Sequence, residues 1–142
     1  MKELYQAIKT RFDSSNGASI RALSTSLIVG HHPAKTTKSE LITLSNPGGE
    51  TDWTLSDANG KQRAYDTINL DVNIWTNKRS LQAALTVANA WKRVYDNQLL
   101  TMSSSYTNDM ARRISPAIQI EEPDTNGWHI VLSYQYRVGR GL

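Results

Sequence analysis

The clearest pattern in the chain is a strict alternation of apolar and polar residues from Thr67 to Ile74. Successive side chains of a β-strand point to opposite faces, so this period of two predicts a strand with one dry face and one polar face. A second alternation runs from Trp128 to Val138 and follows Asn126-Gly127, a dipeptide that favours a hairpin turn. Together with Ile118 to Glu122 before the turn, it predicts a β-hairpin.

Two other segments have the period of a helix. Apolar residues recur every three or four positions from Lys2 to Asp13 and again from Leu81 to Tyr95. This spacing places them on one face of each segment, as in an amphipathic helix that covers a core. The first helix is predicted to end at Ser14 to Gly17, and the second at about Asn97, where the periodicity fails.

The remaining segments carry weaker signals. Ala18 to Val29 fits a helix, or a helix that leads into a short strand, and both interpretations stay open. Leu41 to Leu44 and Thr51 to Leu55 are short strand candidates, each followed by a turn-forming sequence. Thr101 to Asp109 is polar and predicts a loop.

The elements therefore occur in the order helix, strands, helix, hairpin. This order predicts an α+β domain, in which an antiparallel sheet of about four strands has two helices packed on one face. We expect a single domain over residues 1–142, because no repeat or linker-like composition divides the chain. We expect residues 139–142 to form a flexible C-terminal tail.

Composition narrows the function classes. The 16 Lys and Arg residues exceed the 13 Asp and Glu residues only slightly, for a net charge of +3, and they occur as scattered pairs rather than in one stripe. We interpret these pairs as solvated faces. The chain has no cysteine, which excludes disulfides, thiolate metal sites and thiol catalysis. No signal-like or membrane-length apolar stretch occurs, so we expect a soluble protein made in a cytoplasm, without a membrane partner.

Searches for catalytic and metal-binding patterns identify no candidate site. His31 and His32 diverge on an extended chain, and we favour a solvated turn over a metal site. Asn69, Asp71 and Asn73 share one strand face, but their spacing of roughly 6.5–7 Å is too wide for one cation. The phosphate-loop and nucleophile-elbow motifs are missing. We therefore expect no enzymatic activity, no metal and no cofactor.

Several residues are candidates for contact with a second subunit or another partner. Trp53 stands in a polar segment between glycine-rich turns, and it is either a cover for the core or an interface anchor. Trp75 falls in the polar register of its strand. The full set of candidate contact residues is Trp53, Asn69, Asp71, Asn73, Trp75, Arg112 and Arg113.

Three features carry a resemblance to a known family. They are the strand Ile68 to Trp75, which ends in tryptophan, the alanine-rich helix Leu81 to Trp91, and the hairpin from Ile118 to Tyr134. In order and spacing the chain resembles the tail-completion or tail-terminator proteins of long-tailed bacteriophages, which join tail to head. The similarity covers nearly the whole chain.

This resemblance implies a structural virion protein at the head-proximal end of the tail, assembled in the host cytoplasm. It implies a ring, usually of six identical subunits, that contacts the tail tube protein and a head-completion or connector protein, with DNA only as cargo in the lumen. A heterologous contact repeated around an axis closes into such a ring. Two alternatives are a stand-alone α+β ligand-binding or regulatory domain and a basic nucleic-acid-binding module. Against the latter, Trp128, Tyr134 and Tyr136 share the apolar face of their strand.

Overall fold

The structure is a computed structural model that describes residues 2–24, 26–30, 40–56, 62–103, 105–123 and 126–141. In this part of the chain, three α-helices and six β-strands follow one another with one short 3-10 turn at Ser15–Gly17. The helices are α1 (Lys2–Asp13), α2 (Ala18–Arg21) and α3 (Leu81–Tyr95). The strands are β1 (Leu27–Val29), β2 (Glu40–Ser56), β3 (Gln62–Thr76), β4 (Tyr106–Arg113), β5 (Ile118–Glu122) and β6 (Gly127–Gly141).

All six strands belong to one mixed sheet. Its order is β1-β2-β3-β6-β4, and β5 also pairs with β6. Strand β5 lies along the first part of β6, with Ile118 opposite Val131, whereas β4 lies along the last part, with Tyr106 opposite Arg140. Strand β1 runs parallel to β2, and every other pair in the described residues is antiparallel.

The predicted architecture, an antiparallel sheet of about four strands with two helices, is wrong. The observed sheet is mixed and has six strands, and the described chain has three helices. The parallel strand β1 lies within the segment whose interpretation the sequence left open. Strand β4 lies within and beyond the polar segment predicted as a loop, and β2 is one long strand with two register shifts instead of two short strands.

The faces of β3 and β6 explain where the core lies. Even-numbered residues from Ile68 to Thr76 and from Ile130 to Val138 point to one face, here called the core face, and they are buried. The apolar members of this set are Ile68, Leu70, Val72, Ile74, Ile130, Leu132, Tyr134, Tyr136 and Val138. Helices α1 and α3 add their apolar faces to the same cluster. The odd-numbered residues form the opposite face, here called the outer face.

Two long-range hydrogen bonds hold α1 against α3. The hydroxyl of Tyr95 donates to the carbonyl oxygen of Ile8 over 2.8 Å, and Nε of Arg11 donates to the carbonyl oxygen of Val94 over 3.0 Å. Tyr95 is fully buried, and its ring stacks on Trp91 with centroids 4.1 Å apart. Burial raises the pKa of Tyr95 well above its usual value. The two helices therefore form one layer, whose α3 contacts β3 and β6.

The turn between β5 and β6 confirms the predicted hairpin and shows why its glycine is needed. Asn126 has a positive φ of 53°, a conformation that asparagine tolerates better than most residues. A Cβ atom on Gly127 would lie 1.7 Å from the carbonyl oxygen of Thr76. Any other residue at position 127 would therefore push the hairpin away from the end of β3.

The C-terminal residues continue strand β6. Gly139, which we expected to begin a flexible tail, lies opposite Tyr65 of β3 and Thr107 of β4. A Cβ atom on Gly139 would lie 2.9 Å from Cε1 of Tyr65, so the tyrosine ring lies close over the glycine. The pairing continues through Gly141. Leu142 lies outside the described residues.

We predict that Leu132→Ala destabilises the domain by about 2–5 kcal/mol, because it leaves a cavity in the centre of the core face. Leu99→Ala is the matched control, since Leu99 is 55% exposed, and its expected cost is below about 0.5 kcal/mol. Urea unfolding followed by circular dichroism measures both. Equal costs for the two variants would show that the core is not where this sheet places it.

Candidate functional site

The outer face of the sheet brings together four of the residues predicted as contacts. Asn69, Asp71, Asn73 and Trp75 occupy successive outer positions of β3. Across the β3–β6 ladder they lie opposite Gln135, Ser133, Val131 and His129. Across the β2–β3 ladder, Asp71 lies opposite Ser45 and Asn73 opposite Thr43. These four residues of β3, here called the predicted strip, are thus part of a polar surface that spans at least three strands.

Hydrogen bonds across the strands fix these polar side chains. Ser133 Oγ donates to Asp71 Oδ1 over 2.7 Å, and Asn73 Nδ2 donates to Ser45 Oγ over 3.0 Å. Gln135 Nε2 donates to Asn69 Oδ1 over 3.2 Å. Cross-strand pairs of this kind stabilise a sheet and order its side chains before any partner arrives. The outer face is therefore a preformed surface.

The ring of Trp75 is held on the outer face by its cross-strand neighbour, His129. Its ring stacks on His129 with centroids 3.6 Å apart and an interplanar angle of 12°, and its Nε1 donates to Thr43 Oγ1 over 3.1 Å. His129 Nε2 lies 2.9 Å from Asn73 Oδ1, and His129 Nδ1 lies 3.6 Å from Glu122 Oε1. His129 occupies a polar position of β6, but these contacts leave its side chain only 12% exposed.

Arg112 and Arg113, which the sequence treats alike, have different surroundings. Arg112 extends the outer-face network, because its Nε and Nη2 donate to Gln135 Oε1 over 3.1 and 2.6 Å. Arg113 is the cross-strand partner of Tyr134 and belongs to the core face. Its Nε donates to Asp96 Oδ2 over 3.2 Å. Of this pair, Arg112 fits a contact role and Arg113 fits a structural one.

Asp96 joins the end of α3 to the sheet. Besides the bond from Arg113, its Oδ1 accepts a 2.6 Å hydrogen bond from the hydroxyl of Tyr134. Burial, and then this bond to a carboxylate, raise the pKa of Tyr134 far above its usual value. The hydroxyl of Tyr136 is also buried, without a hydrogen-bond partner among the described residues. Both tyrosine rings are fully buried, which confirms that they belong to the core and do not form an exposed stacking platform.

Some of the other predicted features lie outside the residues that the structure describes. The backbone of Trp53 lies in β2 opposite Tyr65, but its side chain is outside the described part, and so are His31 and His32. Within the residues that the structure describes, His, Asp and Glu side chains do not gather in groups of three or more that could hold a metal ion. Among the described helices, none has the length and apolar character needed to cross a membrane.

Sequence reasoning missed the partners of the predicted strip. Five residues on neighbouring strands each hydrogen-bond or stack with one residue of the strip. They are Thr43, Ser45, Ser133, Gln135 and His129. The polar positions of β6 alternate visibly with its apolar ones, so their common face was readable from the sequence. Their pairing with individual β3 residues was not, because it depends on the register between two strands that are distant in the chain.

Comparison with known proteins finds a similar fold among solved structures. Neither a protein-family model nor a curated protein matches the chain. Among solved structures, a chain from the virion of a native gene transfer agent particle is similar in fold, with a TM-score of 0.67. The match covers 97% of this chain and 92% of that chain, at 14% sequence identity. At this identity the likeness establishes a shared fold over nearly the full length of both chains.

We predict that Arg113→Ala lowers the free energy of unfolding by about 1–3 kcal/mol, because it removes a charged hydrogen-bond donor from partly buried Asp96. Arg112→Ala is the matched control one residue away, and we expect a change below about 0.5 kcal/mol, since Arg112 is exposed. Chemical denaturation of both variants measures the difference. A larger loss for Arg112→Ala than for Arg113→Ala would contradict the assigned roles.

Proposed function

We propose that this chain is a structural subunit of a phage-like virion, with no catalytic role. The observation that carries the proposal is the fold likeness to a chain of a gene transfer agent virion, which extends over nearly all of both chains. A fold by itself does not fix a function. The outer face supports the same conclusion from a second direction, because it is an ordered polar surface of the kind that a subunit presents to its neighbours.

Within the virion, we propose that the chain completes the tail. Copies of it form a ring, of six subunits if it follows the tail-completion proteins it resembles, at the head-proximal end of the tail. There the ring contacts the tail tube protein on one side and a head-completion or connector protein on the other, and DNA passes through its lumen. The order of strand, alanine-rich helix and hairpin supports this position, together with the outer face.

The outer face is the surface that we assign to these contacts. Its side chains are held by one another through the bonds of Asp71, Asn73 and Gln135, so little side-chain entropy remains to be lost when a partner binds. Trp75 adds a large aromatic ring to the same face, and aromatic residues are enriched in the parts of interfaces that carry the binding energy. A polar face that contains a large aromatic ring held in place suits a contact between folded subunits.

The decisive experiment uses tail tubes that were assembled in cells from which the gene for this chain has been deleted. Purified chain is added to these tubes, and negative-stain images are scored for a ring at the tube ends, with native mass spectrometry of the chain alone at rising concentration. We expect a cyclic oligomer at one end of each tube only. If the chain remains monomeric and ignores the tubes, the proposal fails and a stand-alone ligand-binding domain replaces it.

A matched pair of variants tests the assigned surface. Arg112→Glu changes the outer face, whereas Arg93→Glu makes the same change in net charge on an exposed position of α3. We expect Arg112→Glu to lower ring occupancy on the tubes about tenfold or more and Arg93→Glu to leave it unchanged. Equal occupancy for the two variants would remove the outer face from the contact.

A further inference from the structure

Exposed apolar side chains concentrate at two opposite edges of the sheet. In the described part of the chain, seven large apolar side chains are exposed, and five of them lie in β1 or around β5. Val29 of β1 is 53% exposed, and Ile118 and Ile120 of β5 are 52% and 40% exposed. Exposed apolar groups that cluster in this way indicate an interaction surface more often than scattered ones do.

The two edges are connected by rows of residues that pair across neighbouring strands. One row runs from Leu27 of β1 through Ile42, Ile74 and Ile130 to Gln119 of β5. Four steps between neighbouring strands separate its ends, which is about 19 Å at the usual strand spacing. Strands β1 and β5 are therefore two opposite edges of one continuous sheet.

The apolar groups at the two edges face opposite sides of the sheet. At the first edge, Leu27 and Val29 pair with core-face residues of β2 and line an open groove of about 550 Å³ against α1. This α1–β1 groove is completed by Lys2, Tyr5, Gln6 and Lys9. At the second edge, Ile118 and Ile120 lie opposite Val131 and His129 and so belong to the outer face.

The charges at the two edges are opposite. Lys2 and Lys9 lie on the rim of the α1–β1 groove, and Lys9 forms an exposed pair with Asp13 within its own helix and lies 5.8 Å from the ring centroid of Phe12. An exposed pair of this kind contributes little and exchanges partners easily. At the other edge, Glu122 follows Ile118 and Ile120 on the same side of β5, and its Oε1 lies 3.6 Å from Nδ1 of His129. We call Ile118, Ile120 and Glu122 the β5 patch.

We propose that the β5 patch of one copy of this chain binds the α1–β1 groove of the next copy, so that neighbouring subunits overlap at their edges. Ile118 and Ile120 meet Leu27 and Val29, and Glu122 meets Lys2 and Lys9. Surfaces on opposite edges that face opposite sides allow each copy to overlap the next in the same way. Such a head-to-tail contact generates a closed ring or an open filament. The inference rests on the proposed function and names the contact that would build its ring.

The test uses one variant on each surface. Val29→Asp places a charge in the groove, and Ile118→Asp places one in the β5 patch, at positions exposed enough for the fold to survive. Leu99→Asp, at an equally exposed apolar position outside both surfaces, is the control. We expect each of the first two variants to weaken self-association about tenfold or more and the control to assemble like the wild-type chain.

Mixing the two variants tests whether the surfaces are partners. Each variant keeps one intact surface, so an equimolar mixture should form dimers with one copy of each and nothing larger, as measured by native mass spectrometry. If the mixture remains monomeric, or if either variant alone still forms rings, the proposed contact between the β5 patch and the α1–β1 groove is wrong while the proposed function stands. If the wild-type chain assembles neither in solution nor on tube ends, the proposed function fails as well.

A second pair of variants is independent of the apolar positions. Lys9→Glu reverses a charge on the rim of the groove, and Glu122→Lys reverses the charge of the β5 patch. We expect either single variant to weaken assembly and the double variant, which exchanges the two charges, to restore it. Failure of the double variant to assemble better than either single variant would overturn the charge pairing, and with it the proposed alignment of the edges.

Discussion

Strand β3 pairs with β6 along its whole length, from Arg63 opposite Gly141 to Thr76 opposite Trp128, and this register determines both faces of the sheet. It places Val72 opposite Leu132 in the core, and it also places Asp71 opposite Ser133 on the outer face. Because side chains alternate with a period of two, a slip of one residue would exchange the buried and the exposed sets. The burial of the core therefore also fixes the order of the polar surface.

The two kinds of surface left by this arrangement suit different contacts. The outer face is polar and internally hydrogen-bonded around Asp71, Asn73 and Gln135, so it presents a rigid pattern to a partner. The β1 and β5 edges are apolar and carry opposite charges, which suits a repeated contact between identical chains. The proposed ring subunit would bind copies of itself and also a different protein, and the two surfaces assigned to these contacts lie on a single sheet.

The elements that the sequence predicts well are those with a strong local period. Helix α1 begins and ends at the predicted residues, and the hairpin of β5 and β6 forms at Asn126-Gly127. Strand β4 was missed because one of its two buried residues is polar and the other, Ala111, is small. Asn108 accepts a hydrogen bond from the amide of Leu100 and donates to the carbonyls of Met110 and Arg137. Such residues leave little mark in the hydrophobic pattern. The contacts of His129 with Asn73 depend on long-range register, which no local pattern encodes.

The central claim, that the chain is a structural subunit of a phage-like virion, is tested most directly by its copy number in purified particles. Particles released by the cells that encode the chain are purified by density gradient, and the chain is quantified with isotope-labelled peptides against the tail tube protein. We predict a constant ratio that corresponds to one ring per particle, in every fraction that contains intact tails. Particles that lack the chain, from cells whose lysate contains it in quantity, would contradict the claim.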